Sequence, residues 1–187
     1  GVGVSNFNAK QVEVAYRELE KRGVPLVSNQ VELSLCNQKA LEDGTIDKCK
    51  RLGVTVLAHT PLAGGLATAK YTAMNPTGGK LGAKGKFRFE TLQKFGPMHA
   101  ALQTVAKRAG AREDMKITPT QVALNWVVAK GAVPLPGVRN TRDAEEVVGA
   151  VGWRLRAEDL ELIDSAVEQG MAAPAKTKKA NPMADRW

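Results

Sequence analysis

Four short apolar runs in this 187-residue chain end on, or carry, polar residues able to bind a small molecule. Residues 2–4 lead into Ser5-Asn6, residues 25–31 carry Gln30, residues 54–58 lead into His59-Thr60, and residues 132–135 lead into Gly137-Val138-Arg139-Asn140. Asn6 and Gln30 each offer a donor and an acceptor on one amide. Arg139 and Arg142 offer guanidinium forks that match oxyanions. His59 is a side chain of the type that titrates near neutral pH. Two cysteines, Cys36 and Cys49, form no CxxC and have only His59 and His99 for company. That is too thin for a zinc site and too few for a disulfide framework, so reduced thiols are expected.

The net charge of +8 concentrates in two places: Lys80, Lys84, Lys86, Arg88 and Lys94 in a Gly-rich stretch, and Lys176, Lys178 and Lys179 near the end. Nucleic-acid binding would call for interleaved aromatics, and only Phe87 and Phe89 qualify. A solvated tail and a loop attracting an anionic cofactor are the expectation instead. No apolar run approaches the roughly 20 residues that span a bilayer, so no membrane partner is expected. The chain opens on Gly rather than Met, and no targeting segment precedes the first apolar run. That absence says little about compartment; the reduced thiols suit an enzyme of the cytoplasm or a chloroplast stroma, which is the expectation.

The elements that must position these residues repeat one arrangement: amphipathic helix, basic last turn, Gly, short apolar strand. A first helix over 9–22 places Val12, Ala15, Tyr16 and Leu19 on one face, ends Lys21-Arg22-Gly23, and feeds a strand over 25–31. A second over 41–52 ends Lys50-Arg51-Leu52-Gly53 and feeds 54–58. A third opens Thr118-Pro119-Thr120-Gln121, a capping box with Pro at the first helical position, and feeds 132–135. Cations suit the negative end of a helix dipole, and Gly takes the left-handed residue that ends the helix. Two further helices are read over 140–151 and 158–167, and one long functional or disordered connection over 60–97. The pattern assigns no element between residue 97 and Thr118.

Strand alternating with helix predicts a parallel α/β sheet whose strands are buried apolar runs. Half of a (β/α)8 barrel and a doubly wound sheet both satisfy this. No GxGxxG follows a strand, which favours the half barrel. One domain over 1–170 and a poorly ordered basic tail over 171–187 complete the organisation.

Five blocks, taken together, are specific. Gly3-Val4-Ser5-Asn6-Phe7, Ser28-Asn29-Gln30-Val31-Glu32-Leu33-Ser34, Ala58-His59-Thr60-Pro61-Leu62-Ala63-Gly64-Gly65, Ala69-Lys70-Tyr71 and Pro134-Leu135-Pro136-Gly137-Val138-Arg139-Asn140 resemble the aldo-keto reductases, in that family's order and approximate spacing. The likeness runs from Gly1 to about Val167 and leans towards the plant and algal chloroplast branch related to pyridoxal reductases. It implies strands 5–8 of a (β/α)8 TIM barrel, an NADP(H) cofactor, and reduction of an aldehyde or ketone by hydride transfer. A cofactor-binding regulatory or sensor protein without turnover is the alternative.

The resemblance gives each residue a role. Ser5, Asn6 and Gln30 match the groups that hydrogen-bond the nicotinamide amide, although Asn6 could instead cap the first helix. His59 stands where relatives stack an aromatic on the nicotinamide ring. Thr60, Pro61, Leu62, Gly64 and Lys70 match the loop that closes over the pyrophosphate, with Lys86 or Arg88 as a second clamp. Gly137, Arg139, Asp143 and Glu146 match the adenine end, where Asn140 caps a helix whose N-terminus, with Arg139 and Arg142, would attract a 2′-phosphate. Asp143 departs from the Gln or Arg that relatives carry and could instead be the third-position partner of that cap. Val147 replaces an Asn that commonly reaches the adenine. The family's catalytic Tyr, Lys, Asp and His lie on strands before the first one here, so none is assigned; Tyr16 and Tyr71 are read as packing residues. The chain is therefore expected to need the N-terminal half of the barrel.

Overall fold

The computed structural model describes residues 1–79 and 84–172. Strands β1 (Val2–Ser5), β2 (Leu26–Glu32), β3 (Thr55–His59) and β4 (Ala132–Leu135) form one parallel sheet in the order β1-β2-β3-β4. Helix α1 (Ala9–Glu20) crosses from β1 to β2, α2 (Lys39–Glu42) and α3 (Thr45–Arg51) from β2 to β3, and α4 (Phe89–Lys94), α5 (Gly96–Glu113) and α6 (Pro119–Ala129) from β3 to β4. Helices α7 (Thr141–Val148) and α8 (Ala157–Ala172) follow. Each strand pairs with the next in sequence, without the reversal of order that creates the crevice of a doubly wound sheet. That is the connectivity of successive barrel units.

The register fixes two faces. Ser5 lies opposite Gln30, Gln30 opposite Leu57, Glu32 opposite His59, and His59 opposite Leu135. Because side chains alternate, these residues share one face. Asn29, Val31, Val56, Ala58 and Ala132 are buried on the other, under the helices. The expectation of uniformly buried strands is corrected here: β2 and β3 alternate, and Val133 and Leu135 stand exposed on the open face. One helical layer covers one side of the sheet, and no described element covers the other.

The helix ends obey the expected chemistry. Gly23, Gly53 and Gly131 adopt φ of 64°, 69° and 88°, the left-handed conformation that a β-carbon disfavours. The Thr118 box is present: the Thr118 hydroxyl accepts from the Gln121 amide at 3.3 Å, and the Gln121 side chain accepts from the Thr118 amide at 2.9 Å. Other boundaries move. The expected second helix breaks at Asp43-Gly44, where Gly44 has φ 73°. The first helix is capped by Asn8, not Asn6, in a box with Gln11. The 60–97 connection contains a 3-10 turn over Ala63–Thr68, all of α4 and the start of α5. The expected tail starts within α8 at Met171 and Ala172; residues 173–187, and Lys80 in the loop, lie outside the described residues.

Helix α5, which the pattern left unassigned, is the longest described and packs between α6 and α8. Met98, Ala101, Leu102, Val105, Ala106 and Ala109 form its buried face at helical spacing. Trp126 of α6, fully buried, donates its indole N–H to Asp164 of α8 at 2.7 Å, and Lys130 meets the same carboxylate at 2.7 Å. These contacts hold the helical layer rigid behind β3 and β4, whose loops line the site.

Candidate cofactor-binding site

The polar strand-end residues form a continuous row. Ser5 Oγ and the Asn6 amide both donate to the Gln30 carbonyl, at 3.2 and 2.7 Å. His59 links Asn6 to the third strand: its Nε2 lies 3.4 Å from Asn6 Oδ1, and its Nδ1 lies 3.0 Å from Thr60 Oγ1. An imidazole protonated on Nε2 satisfies both, donating to Asn6 and accepting from the Thr60 hydroxyl. Asn6 and Thr60 have φ of 57° and 55°. Asn tolerates this left-handed region, but a β-branched Thr there is an outlier of the kind that clusters at ligand sites. Asn29, to which no role was given, is what holds the turn: fully buried, it donates to Phe7 O at 2.9 Å and accepts from Phe7 N at 3.4 Å.

Beyond Thr60 the row opens into a cleft of about 420 Å3. Thr60, Pro61, Leu62, Gly64 and Lys70 line one wall, and Gly137, Arg139, Asp143 and Glu146 the other. Lys86 also lines it and donates to the Gly64 carbonyl, with its ammonium 5.9 Å from the Tyr71 ring centroid and 5.5 Å from that of Phe87. Arg88 is absent from the lining and precedes α4 as its N-cap residue, so of the two suggested clamps Lys86 is the one placed there. Gly64 and Gly65 have φ of 63° and 107°, which brings bare backbone to the cleft edge. Ser5, Asn6, Gln30 and His59 do not line the cleft; they continue it along the strand ends.

Lys70, Lys86, Arg139 and Arg142 form no ion pair among the described residues; Arg142 stands off the cleft lining, and the other three direct positive charge into the cleft. Two carboxylates oppose it. Asp143 is the third-position partner of the Asn140 cap: its amide donates to Asn140 Oδ1 at 2.9 Å, and its Oδ2 accepts from Arg139 N and Asn140 Nδ2 at 3.3 and 3.2 Å. It therefore sits on the positive end of the α7 dipole. Glu146 accepts from Thr118 Oγ1 at 2.7 Å, while its backbone carbonyl takes the Gln121 side chain at 3.1 Å. It ties α7 to the N-terminus of α6. Val147 adds an apolar patch.

A larger depression, about 570 Å3, lies at the opposite ends of β2 and β3. It contains Tyr16 and Glu20 but no basic side chain. Chemistry on this class of fold gathers at the C-terminal strand ends, and the cleft is there. Tyr16 and Tyr71 both pack against the core, and Tyr71 stacks edge-on with Phe87 at 5.4 Å. Burial disfavours both thiolates, pushing Cys36 up to about 12 and raising Cys49. No group of three or more His, Cys, Asp and Glu gathers at metal-binding range among the described residues, and none of their helices is long and apolar enough to cross a membrane.

The aldo/keto reductase family model matches residues 1–168. The chain belongs to the aldo/keto reductase family. The chloroplastic pyridoxal reductase of Arabidopsis thaliana is 36% identical over 171 residues, covering 90% of this chain and 44% of that protein. An uncharacterized oxidoreductase of Mycobacterium tuberculosis is 33% identical over 165 residues, 88% of this chain and 48% of its own length. The chain thus spans about half the length of the curated relatives it matches, and it is an oxidoreductase-family chain. A crystal structure of a thermostable aldo-keto reductase superposes with TM-score 0.62 at 24% identity, covering 88% of this chain and 47% of that one. A glycerol dehydrogenase of Gluconobacter oxydans gives 0.71 at 22%, covering 95% and 52%. These two likenesses establish the fold: the four-stranded sheet is part of a TIM barrel.

Proposed function

We propose that this chain carries the NADP(H) site of an oxidoreductase that reduces aldehydes or ketones to alcohols. One observation carries the reading: Lys70, Lys86 and Arg139, without ion-pair partners, line one cleft at the C-terminal strand ends, beside a glycine turn and a capped helix N-terminus. The residues fit a dinucleotide phosphate in charge and in backbone access at Gly64 and Gly65. The reduced nicotinamide, when bound, supplies the hydride. Ser5, Asn6 and Gln30 would hold its amide, and His59 would offer its imidazole face to the ring. Lys70 and Lys86 bind the pyrophosphate against the Gly64 backbone. Arg139, Arg142 and the α7 N-terminus receive the 2′-phosphate.

The acid that protonates the carbonyl oxygen is not among these groups. It belongs to the remaining half barrel, which would also cover the open sheet face and the free edges of β1 and β4. The 36% identical relative makes a pyridine aldehyde a sensible first substrate, and its compartment supports a chloroplast stroma ahead of the cytoplasm. Titrating the purified protein with NADPH and NADH, and following tryptophan emission, tests the cofactor reading. NADPH quenches at lower concentration than NADH if it holds. A folded protein that responds to neither overturns it.

A further inference from the structure

Three consecutive carbonyls of the cleft turn are each held by a different side chain. Lys86 donates to Gly64 O, Thr68 Oγ1 to Gly65 O at 2.7 Å, and His99 Nε2 to Leu66 O at 2.8 Å. Lys86 is exposed and Thr68 belongs to the turn itself. His99 comes from α5, 33 residues along the chain, and is only 3% exposed. Leu66 is also buried, at 5%. A further feature sets His99 apart: its Nδ1 is buried with no hydrogen-bond partner among the described residues. A side chain there for packing alone would be cheaper as Leu or Met, since a buried unpaired nitrogen is costly. What the imidazole provides in return is one N–H, delivered to one carbonyl of the turn.

We infer that His99 is a positioning residue for the cofactor cleft: through Leu66 O it fixes the turn that places Gly64, Gly65 and Lys70 along the cleft wall. The turn needs such a hold. Ala63, Gly64, Gly65 and Ala69 all have positive φ, so Ala63 and Ala69 carry strain that local preference would release. Leu62 O accepts from both Gly65 N and Ala67 N, at 2.8 and 3.1 Å, which ties the base of the turn, while His99 ties its crest to the rigid helical layer. Without that bond the turn samples conformations that do not match the phosphate, and affinity falls by the fraction of time lost.

The inference rests on the cofactor reading for its consequence but not for its geometry, and two measurements separate them. His99→Leu removes the donor, His99→Gln keeps an N–H of similar reach, and Val105→Ala removes buried volume from the same helix six residues beyond His99. In the full chain, His99→Leu is expected to weaken NADPH binding about tenfold and to speed amide exchange over residues 64–70, with His99→Gln near the parent on both. Val105→Ala is expected to lower the melting temperature and leave affinity unchanged. If His99→Leu does not fold, His99→Asn, whose amide stops short of Leu66 O, takes its place. Unchanged exchange over 64–70 in the variant lacking the donor overturns the inference, as does an equal loss of affinity in Val105→Ala. If the parent binds neither NADPH nor NADH, the cofactor reading fails, and the exchange measurement still decides whether His99 holds the turn.

Discussion

Across the cleft, the loop after β3 is braced from inside the protein, while the loop after β4 stands at its surface. Leu66, Ala67 and Thr68 of the first are buried, and His99 reaches them from α5. Gly137, Val138, Arg139 and Asn140 of the second are exposed, and α7 contains no buried residue. The first wall is positioned by packing; the second by one cap, Asn140 with Asp143, and one tie, Glu146 to Thr118. The chemistry each wall is proposed to do matches its support. Receiving a pyrophosphate against bare backbone demands fixed geometry. Receiving a phosphate on long arginine side chains demands charge and tolerates movement.

The largest effect expected from this contrast is on stability. Leu66→Ala should destabilise by about 2–4 kcal/mol, because it empties a buried site at the junction of turn and helical layer. Val148→Ala, on the helix α7 behind the other wall and 68% exposed, should change stability by less than about 0.5 kcal/mol. Urea denaturation of both variants checks the pair. A cost near 2 kcal/mol for Val148→Ala would mean that α7 is packed against something the described residues lack.

How much of this was legible in the sequence depended on distance along the chain. Three of the four strands could be read because each follows a basic helix end and a glycine, signals confined to a few residues, and β1 was read from its apolar run and the polar pair Ser5-Asn6 that ends it. The Thr118 cap could be read for the same reason. Helix α5 could not: Ala101, Ala106 and Ala109 are three of its seven buried residues, and small alanines dilute an apolar period. The break at Gly44 was hidden inside a pattern that stays helical on either side. Among site residues, those at strand ends announced themselves by position. Partners that act across the fold did not: nothing near Thr118 points to Glu146, 28 residues on, and nothing near Leu66 points to His99. Lys86 and Arg88 were equivalent as letters, and only the path of the loop distinguishes them.

Next in size is an effect on affinity at the exposed wall. Arg139→Ala should weaken NADPH about tenfold and NADH far less, since the guanidinium is reserved for the extra phosphate. Raising salt from 50 to 300 mM should shrink the difference, because an exposed cation is screened. Equal losses for both dinucleotides would move Arg139 from the 2′-phosphate to the pyrophosphate. Asp143→Asn should act in the opposite direction and more weakly. It keeps an oxygen for the Asn140 cap but removes a negative charge from the helix N-terminus, so NADPH binding should tighten by a few-fold while NADH changes little. The Asp143 carboxylate, on this view, tempers a preference that the arginines set. Tighter NADH binding in Asp143→Asn would assign the carboxylate no part in that choice.

The smallest effect belongs to the braced wall and is read through pH. Burial lowers the pKa of His99 below its ordinary value, with the Leu66 carbonyl opposing the shift only in part. The unfolded chain then binds a proton at a higher pH than the folded one does. Stability on this account is full above the unfolded value of about 6.5 and declines as pH falls below it, because the proton favours the unfolded state. The decline ends once pH passes below the folded pKa, where both states are protonated. Melting temperatures at pH 7.5, 6.5 and 5.5 should therefore fall more steeply for the parent than for His99→Gln, which has no titrating ring. Equal slopes for the parent and His99→Gln would mean that the buried imidazole behind the phosphate turn does not set the pH dependence of stability.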